Sequence, residues 1–370
     1  MTTYIHQLPN WPNFYWDYEA LTVQLADIRH QQGRLLGQME SLGFPLRSEA
    51  ILQTLTMDIL KTSEIEGENL DKLQVRSSIA RRMNLDIGGL IPADKNVQGI
   101  VDILLDATQK YNQPLTKERL TMWHTLLFPT GYCGLNQIKV GGWRDDSKGP
   151  MQVVSGPIGH EHVHYEAPAA ERIEKEMVTF LDWLNKDNGI DLVLKAAIAH
   201  IWFITIHPFE DGNGRIARAI FDMLLARSEQ SSQRFYSMSA QISHERNDYY
   251  DVLERTQKGS LDITKPLNWF LCCLGRAFEN VESLLEDILR KAHFWDTYKT
   301  IALNDRQRMI LNKLLDGFEG NLTSTKWAKL AKCSQDTASR DIADLIDKGI
   351  LQKSASGGRS TNYSLIFHEN

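Results

Sequence analysis

The sequence predicts a mainly α-helical fold with one β-hairpin set into it and a separate helical module towards the C-terminal end. Three observations carry this expectation. Apolar residues recur at three- and four-residue spacing through residues 15–42, 51–65, 96–111 and 191–206. Glycine and proline gather in one stretch, residues 141–168, around a short β-branched pair, Val153-Val154. From residue 301 the helices become shorter and end in a segment containing Gly357-Gly358, the pattern of a helix–turn–helix followed by a wing.

Composition narrows the classes of function. The chain has 370 residues, 42% hydrophobic and 24% charged, enough for two or three domains with sizeable cores. Its net charge of −6 is not that of a chain basic overall for nucleic acid. The four cysteines, Cys133, Cys272, Cys273 and Cys333, lack C-x-x-C spacing, so neither a zinc knuckle nor a disulfide framework is expected. No apolar run reaches membrane length and no leader pattern opens the chain, which predicts a cytoplasmic protein with no membrane partner.

The elements follow in order. Residues 1–13 read as extended. A long helix over 15–42 places Trp16, Leu21, Leu25, Ile28, Leu35 and Met39 on one face, and residues 43–45 break it. Ser48 is the expected N-cap of a second helix over 51–65. That helix ends in T-S-E-I-E-G-E-N, residues 62–69, with three acids where the helix dipole disfavours negative charge. Either this is a solvated end with Gly67 as its cap, or a carboxylate there has a cationic partner elsewhere in the fold. Helices follow at 71–84 and 96–111, with a loop over 85–95 between them. Thr116 caps another over 117–127, in which His124 reads as a packed core histidine. Residues 141–168 form the hairpin. Its His160, His162 and His164 read as a polar face, with metal binding as the alternative. A helix at 170–185, a long helix at 267–289 with Trp269, Phe270, Leu274 and Leu285 inward, and helices at 306–315, 324–331 and 336–348 complete the chain.

The chemistry concentrates in residues 206–218, I-H-P-F-E-D-G-N-G-R-I-A-R, between an apolar helix over 191–206 and another over 216–226. A glycine-rich turn opening a helix presents free backbone N–H groups at the positive end of the helix dipole, which suits an anion. Arg215 and Arg218, three apart, reach the same space and fit a di- or triphosphate. Asp211 would repel phosphate directly, so its expected role is to hold a divalent cation that bridges phosphate oxygens. His207 supplies an imidazole able to take a proton near neutral pH. A bare turn would explain D-G-N-G, and a helix stop His-Pro, but neither requires two arginines at this spacing. Spacing excludes an EF-hand, and the lack of a following Gly-Lys-Ser/Thr excludes a P-loop.

The run resembles the Fic family motif, H-x-F-x-[D/E]-G-N-G-R-x-x-R, at every fixed position. The resemblance implies a Fic-type helical core with a β-hairpin flap. The implied activity is transfer of AMP from ATP to a Ser, Thr or Tyr hydroxyl of a target protein or of the chain itself. It implies that His207 is the general base, that Asp211 holds Mg²⁺ (or Mn²⁺), and that Gly212, Asn213 and Gly214 form the anion hole. Arg215 would meet the α- and β-phosphates and Arg218 the γ-phosphate, with Ile216 and Ala217 between them in the same ATP-binding run. Phe209 would anchor the loop in the core. Val154, Ser155, Gly156 and Pro157 would lie beside the nucleotide, and the flap would receive an extended target segment by strand addition. Tyr249 would line the nucleoside pocket. Gln257, where relatives often carry Asn, would contact the same ligand.

The upstream T-S-E-I-E-G resembles the inhibitory motif of the same family, [S/T]-x-x-x-E-[G/N]. That implies a pairing of Glu66 with Arg218 in the space the γ-phosphate needs, so that ATP binds only unproductively. In some relatives the same Glu aids removal of AMP, which leaves a de-AMPylase, or a transferase of another nucleotide, as rival activities. The expected division is an N-terminal helical region over 1–114, a catalytic core over 115–275, a linking helix over 276–300 and a winged-helix-like domain over 301–370. That last module carries ten Lys/Arg against eight Asp/Glu. Its second helix holds Asp336, Asp341, Asp344 and Asp347 against Arg340 and Lys348, which is poor for phosphate contact. Protein contact or homodimerisation is therefore at least as well supported as DNA binding.

Overall fold

The computed structural model describes residues 3–40, 44–147, 149–157, 160, 162–318, 320–353 and 361–367. It divides into two compact units, one of residues 1–83 and 92–281, the other of residues 84–91 and 282–370. No helix among the described residues is long and apolar enough to cross a membrane.

The first unit opens with a 3-10 turn at Ile5–Gln7 where the sequence predicts extended chain. Packing accounts for the difference. Ile5 and His6 are buried, and the His6 ring meets the Tyr165 hydroxyl at 3.1 Å. Helix α1 (Tyr18–Glu40) buries Leu21, Leu25, Ile28, Leu35 and Met39, as its periodicity predicts; Trp16 precedes it. Helix α2 spans Phe44–Ile65, so Ser48 lies inside it and is not its N-cap. Proline in a first helical turn removes an N–H that has no partner there anyway, so Pro45 does not delay the start. Of the expected break at 43–45, residues 44 and 45 lie inside α2, and residues 41–43 fall outside the described residues.

Helices α3 (Lys72–Arg82), α4 (Lys95–Gln109) and α5 (Lys117–Leu127) begin at Asp71, Asp94 and Thr116, each accepting a hydrogen bond from a first-turn N–H. A two-residue pairing of β1 (Tyr132–Cys133) with β2 (Asn136–Gln137) follows; the sequence analysis has no counterpart for it. The hairpin of β3 (Gln152–Ser155) and β4 (His162–Glu166) is antiparallel, with a register shift between Val153 and Val154. It lies where the glycine and proline content predicts. Tyr165 of β4 is buried and donates its hydroxyl to the Thr205 carbonyl at 2.6 Å, which ties the hairpin to the core.

At the centre, α7 (Leu192–Ile206) packs against α6 (Ala170–Asn185), α8 (Asn213–Glu229) and α11 (Thr264–Glu279). Every residue of α7 after Leu192 is buried, as expected of a helix apolar on all sides. The antiparallel α7–α8 pair thus fixes the loop between them on a rigid base. Helices α9 (Met238–His244) and α10 (Arg246–Gln257) complete the layer.

The expected helix over 267–289 is two helices. Helix α11 ends at Asn280, and α12 (Val281–Thr297) starts anew. Apolar spacing continues across the junction, through Phe278 and Val281, so periodicity alone does not mark the break. Trp269 is half-buried, Phe270 and Leu274 are buried, and the Leu285 side chain lies outside the described residues.

In the second unit, α13 (Asp305–Leu315), α14 (Ser324–Leu330) and α15 (Gln335–Asp347) are followed by β5 (Leu351–Lys353) paired antiparallel with β6 (Tyr363–Leu365). Residues 357–358 of the expected wing fall outside the described residues. The core gathers Leu311, Trp327, Ile342, Leu345 and Ile350. Two of the α15 acids serve this fold. Asp341 pairs with Arg306 at 2.9 Å, and Asp344 accepts from Gln307 at 2.7 Å and Lys348 at 2.6 Å.

Candidate functional site

The chain turns at His207, the residue after α7, in the left-handed conformation, φ 52° and ψ 58°. An imidazole-bearing residue adopts this region rarely, and here the surroundings hold it. Its amide donates to the Phe203 carbonyl at 2.9 Å, and its own carbonyl accepts from Arg144 Nε at 2.8 Å. Arg144 is buried; it also pairs with Asp146 at 2.8 Å and donates to the Pro168 carbonyl at 2.5 Å. One guanidinium therefore ties the His207 turn to both ends of the hairpin segment. Nothing in the sequence singles out Arg144 for this beyond its place just after Gly-Gly-Trp.

The His207 ring places Nδ1 3.2 Å from the Ile204 carbonyl. A carbonyl can only accept, so Nδ1 carries the proton and Nε2 is left with its lone pair. Burial, aided by the nearby Arg144 charge, pushes the imidazole pKa down to about 4. His207 is thus a neutral base across the physiological range.

The loop beyond it is braced from within. Phe209 is fully buried, stacked on His124 with ring centroids 4.2 Å apart. Asn213 accepts from the Phe209 amide at 3.0 Å and donates to the Phe209 carbonyl at 2.8 Å. Its side chain is therefore committed to the loop, and only its backbone N–H is available to a ligand. His124 is buried as expected, but it also shapes the site: Nε2 meets the Asp211 carbonyl at 3.2 Å and Nδ1 accepts from the Gly141 amide at 3.2 Å. Gly212 has φ +78°, and a Cβ there would lie 2.6 Å from Leu127, so this position requires glycine.

Helix α8 starts without a side-chain cap, which leaves first-turn N–H groups without an intrahelical partner on the turn that carries Arg215. Arg215 and Arg218 are both buried, at 4% and 3% exposure. Arg215 Nε and Arg218 Nη1 are buried and have no hydrogen-bond partner among the described residues. Buried donors of this kind call for an acceptor, and a phosphate oxygen supplies one. Asp211 remains partly exposed, with Oδ1 2.5 Å from the Gly212 amide and 3.8 Å from Arg215. An open cleft of about 690 Å³ runs from Glu210 and Asp211 past Cys133 to residues 149–152 at the start of the hairpin. All four cysteines are free thiols, and burial pushes Cys133 up to about 11.

The end of α2 meets this site. Gly67, at φ +82°, reverses the chain, with Glu68 N donating to the Ser63 carbonyl and Gly67 N to the Glu64 carbonyl. Arg218 donates from Nη2 to Glu66 Oε1 at 2.7 Å and from Nε to Thr62 Oγ1 at 2.7 Å. Burial works against the Arg218 charge, yet Glu66 outweighs it and holds the guanidinium pKa above its usual value. Glu66 reaches so far in that a Cβ on Gly214 would lie 2.1 Å from its Oε1. A second acid does the same to the other arginine: Arg215 Nη1 donates to Glu68 Oε2 at 2.6 Å. The sequence analysis misses Glu68. The signal was the crowding of acids at this helix end, of which the third, Glu64, pairs with Lys61 at 2.6 Å instead of an arginine of the loop.

Residues 114–225 match the Fic/DOC family. This chain carries a Fic domain. Residues 4–85, ahead of the Fic domain, match a domain of unknown function, DUF4172. Protein adenylyltransferase fic-1 of Caenorhabditis elegans is 40% identical over 179 residues, 48% of this chain and 32% of that protein. Protein adenylyltransferase Fic of Nematostella vectensis is 38% identical over 114 residues, 30% of this chain and 25% of that protein. The chain thus spans a third or less of the length of these relatives. A crystal structure of a Fic family protein from Desulfovibrio desulfuricans aligns over 96% of this chain and 98% of its own, with a TM-score of 0.54 and 20% identity, which shows a shared fold.

Within the Fic domain the flap residues stand apart from the motif loop in their contacts. Val154 is exposed, and Ser155 Oγ turns to His164 Nε2 at 2.6 Å. On α10 the two adjacent tyrosines differ in exposure. Tyr249 is buried, its hydroxyl 2.8 Å from His200. Its neighbour Tyr250 is exposed, with its hydroxyl on the Ile65 carbonyl at 3.3 Å. Gln257, at the end of α10, is buried.

Proposed function

We propose that this chain is a protein adenylyltransferase held in an off state by Glu66. The observation that carries the reading is the pairing of a neutral, Nε2-free imidazole at His207 with two buried arginines that keep unpartnered donors at a helix N-terminus. In the reaction we infer, His207 Nε2 takes the proton of a target hydroxyl. The hydroxyl oxygen bonds to the α-phosphorus of ATP, and the bond from that phosphorus to pyrophosphate breaks. The N–H groups of residues 212–214 and Arg215 hold the charge that develops on the phosphate oxygens. Asp211, a partly exposed carboxylate beside those N–H groups, fits the single protein ligand that Mg²⁺ takes when phosphates complete its shell; bound there, the ion neutralises phosphate charge. The flap is read as the edge that receives the target.

The proton-transfer step has a pH signature. With its base at about 4 in the ligand-free protein, the Glu66→Gly protein should keep a level kcat/KM from pH 8 down to about 5. Below that, protonation of His207 removes the base and the rate falls. A bend near 6.5, where an unperturbed imidazole titrates, would show that the base is not His207 in this environment.

Glu68 is read as a weaker partner of the same restraint. Its side chain is 44% exposed, so solvent screens its pairing with Arg215. In the Glu66→Gly background, Glu68→Gln should lower KM for ATP by about 1.5–5-fold, the range of an exposed ion pair, and leave kcat in place. A change in kcat with KM fixed would assign Glu68 a different role. The C-terminal unit is read as a contact module for protein. The exposed face of α15 sets Asp336 against Arg340, which offers DNA no positive field.

A further inference from the structure

The histidines of the flap strand meet an acid that their sequence neighbourhood does not contain. His162 and His164 are two apart on β4, so both side chains leave the same face of the hairpin. Their rings sit edge to face with centroids 4.7 Å apart. Glu254 of α10 reaches this face, with Oε2 2.7 Å from His164 Nδ1. One donor atom from each of the three residues lies within 4.8 Å of the other two.

We propose that His162, His164 and Glu254 form a site for a zinc-class divalent ion that clasps the flap hairpin to α10. Two imidazoles and one carboxylate are the ligand set of a three-ligand zinc centre, with the fourth position left to water. A hard cation such as Mg²⁺ requires oxygen ligands and is excluded by the same set. The span of up to 4.8 Å is wider than the roughly 3.3 Å between neighbouring ligands around tetrahedral zinc with metal–ligand bonds of about 2.0 Å, while His164 Nδ1 and Glu254 Oε2, at 2.7 Å, part slightly to reach it. The wider gap is closed by His162, which is exposed, so turning its ring disturbs no buried packing beyond its edge contact with His164.

The surroundings suit the exchange of a proton for a metal. Without the ion, His164 Nδ1–H donates to Glu254 and the Ser155 hydroxyl, 2.6 Å from Nε2, donates to the ring. With the ion on Nδ1, the ring carries its proton on Nε2 and the same hydroxyl accepts it. Ser155 needs only to rotate its O–H, and the proton count of the neutral ring is unchanged. A partner on the non-ligating nitrogen is what orients a metal-binding histidine. Lys258 contacts the other carboxylate oxygen of Glu254, at 2.5 Å from Oε1. Oε2 is the oxygen that faces the histidines. The two ends of the clasp belong to elements whose spacing matters to the proposed nucleotide site: the hairpin carries residues 154–157, and α10 carries Tyr249 and Gln257.

The test uses the full chain, stripped of metal, with Zn²⁺ titrated against a chromophoric chelator in excess Mg²⁺ and without ATP. The expected result is one Zn²⁺ per chain. Glu254→Gln, which preserves the shape of the side chain, and His162→Ala should each weaken binding at least about tenfold. His160→Ala should not. Co²⁺ in place of Zn²⁺ should give the visible bands of a four-coordinate ion in the parent and lose them in Glu254→Gln. Amide exchange over residues 152–155 and 162–166 should slow on adding Zn²⁺ to the parent only. The absence of stoichiometric binding, or binding that survives Glu254→Gln and His162→Ala unchanged, overturns the proposal. Loss of binding on His160→Ala alone overturns it too, since the ion would then lie elsewhere. None of these readouts depends on AMP transfer, so the failure of that reading and of this one are separable.

Discussion

Glu66→Gly should convert a nearly silent protein into one that labels itself from α-labelled ATP, with a gain of about 10–100-fold. That range corresponds to a coupling of about 1.4–2.7 kcal/mol, typical of one site acting on another. The carboxylate is within 2.7 Å of Arg218 Nη2, and it fills the space above Gly214 where a terminal phosphate would have to lie. Removing it leaves Arg218 with its two bonds to Thr62, at 2.7 Å and 3.0 Å, so the guanidinium stays oriented. It also adds a free donor to Nη1, which already has no partner. The gain should therefore appear in kcat, because productive phosphate placement is what the acid prevents. The measurement is incorporation of label into the purified chain, variant against parent. Equal labelling of the two would sink the inhibitory role of Glu66.

His207→Ala, placed in the Glu66→Gly background, should lower that labelling by about 10²–10⁴-fold, the usual contribution of a general base. ATP affinity should be kept, since the imidazole's hydrogen bond is to the Ile204 carbonyl and not to either arginine. Measuring nucleotide binding beside turnover separates loss of the base from loss of the fold. The left-handed backbone at His207 makes this control necessary, because alanine tolerates φ 52° less readily than glycine does. His207→Gly, which accepts that backbone, should show the same loss of turnover. Retained labelling in both variants would remove His207 from the proton transfer.

Much of this site is legible in the sequence because its parts are local. The loop over 206–218 follows from residue types and spacing within one short run. Helices α5 and α6 fall where Thr116 and the Pro168 exit place them. The long-range parts are harder. Arg144 and Glu68 act through partners 63 and 147 residues away, and no periodicity links them to the loop. The β1–β2 pairing has two residues per strand, too short for alternation to register. The junction at Asn280 is invisible because the apolar pattern continues through it. Tyr249 and Tyr250 cannot be told apart by composition; only the packing of α10 against His200 decides which ring is inside.

Glu66 and Glu68 depart from one turn, that of Gly67, and each holds a different arginine of the Fic motif. In the proposed off state, a partner or modification that unwinds the last turn of α2 would take away both carboxylates in a single step. Activation by such a signal should be abrupt in time, one kinetic phase in which affinity for ATP and turnover rise together. Point substitutions, by contrast, pull these two quantities apart, so the natural trigger and the engineered variants should leave different kinetic traces.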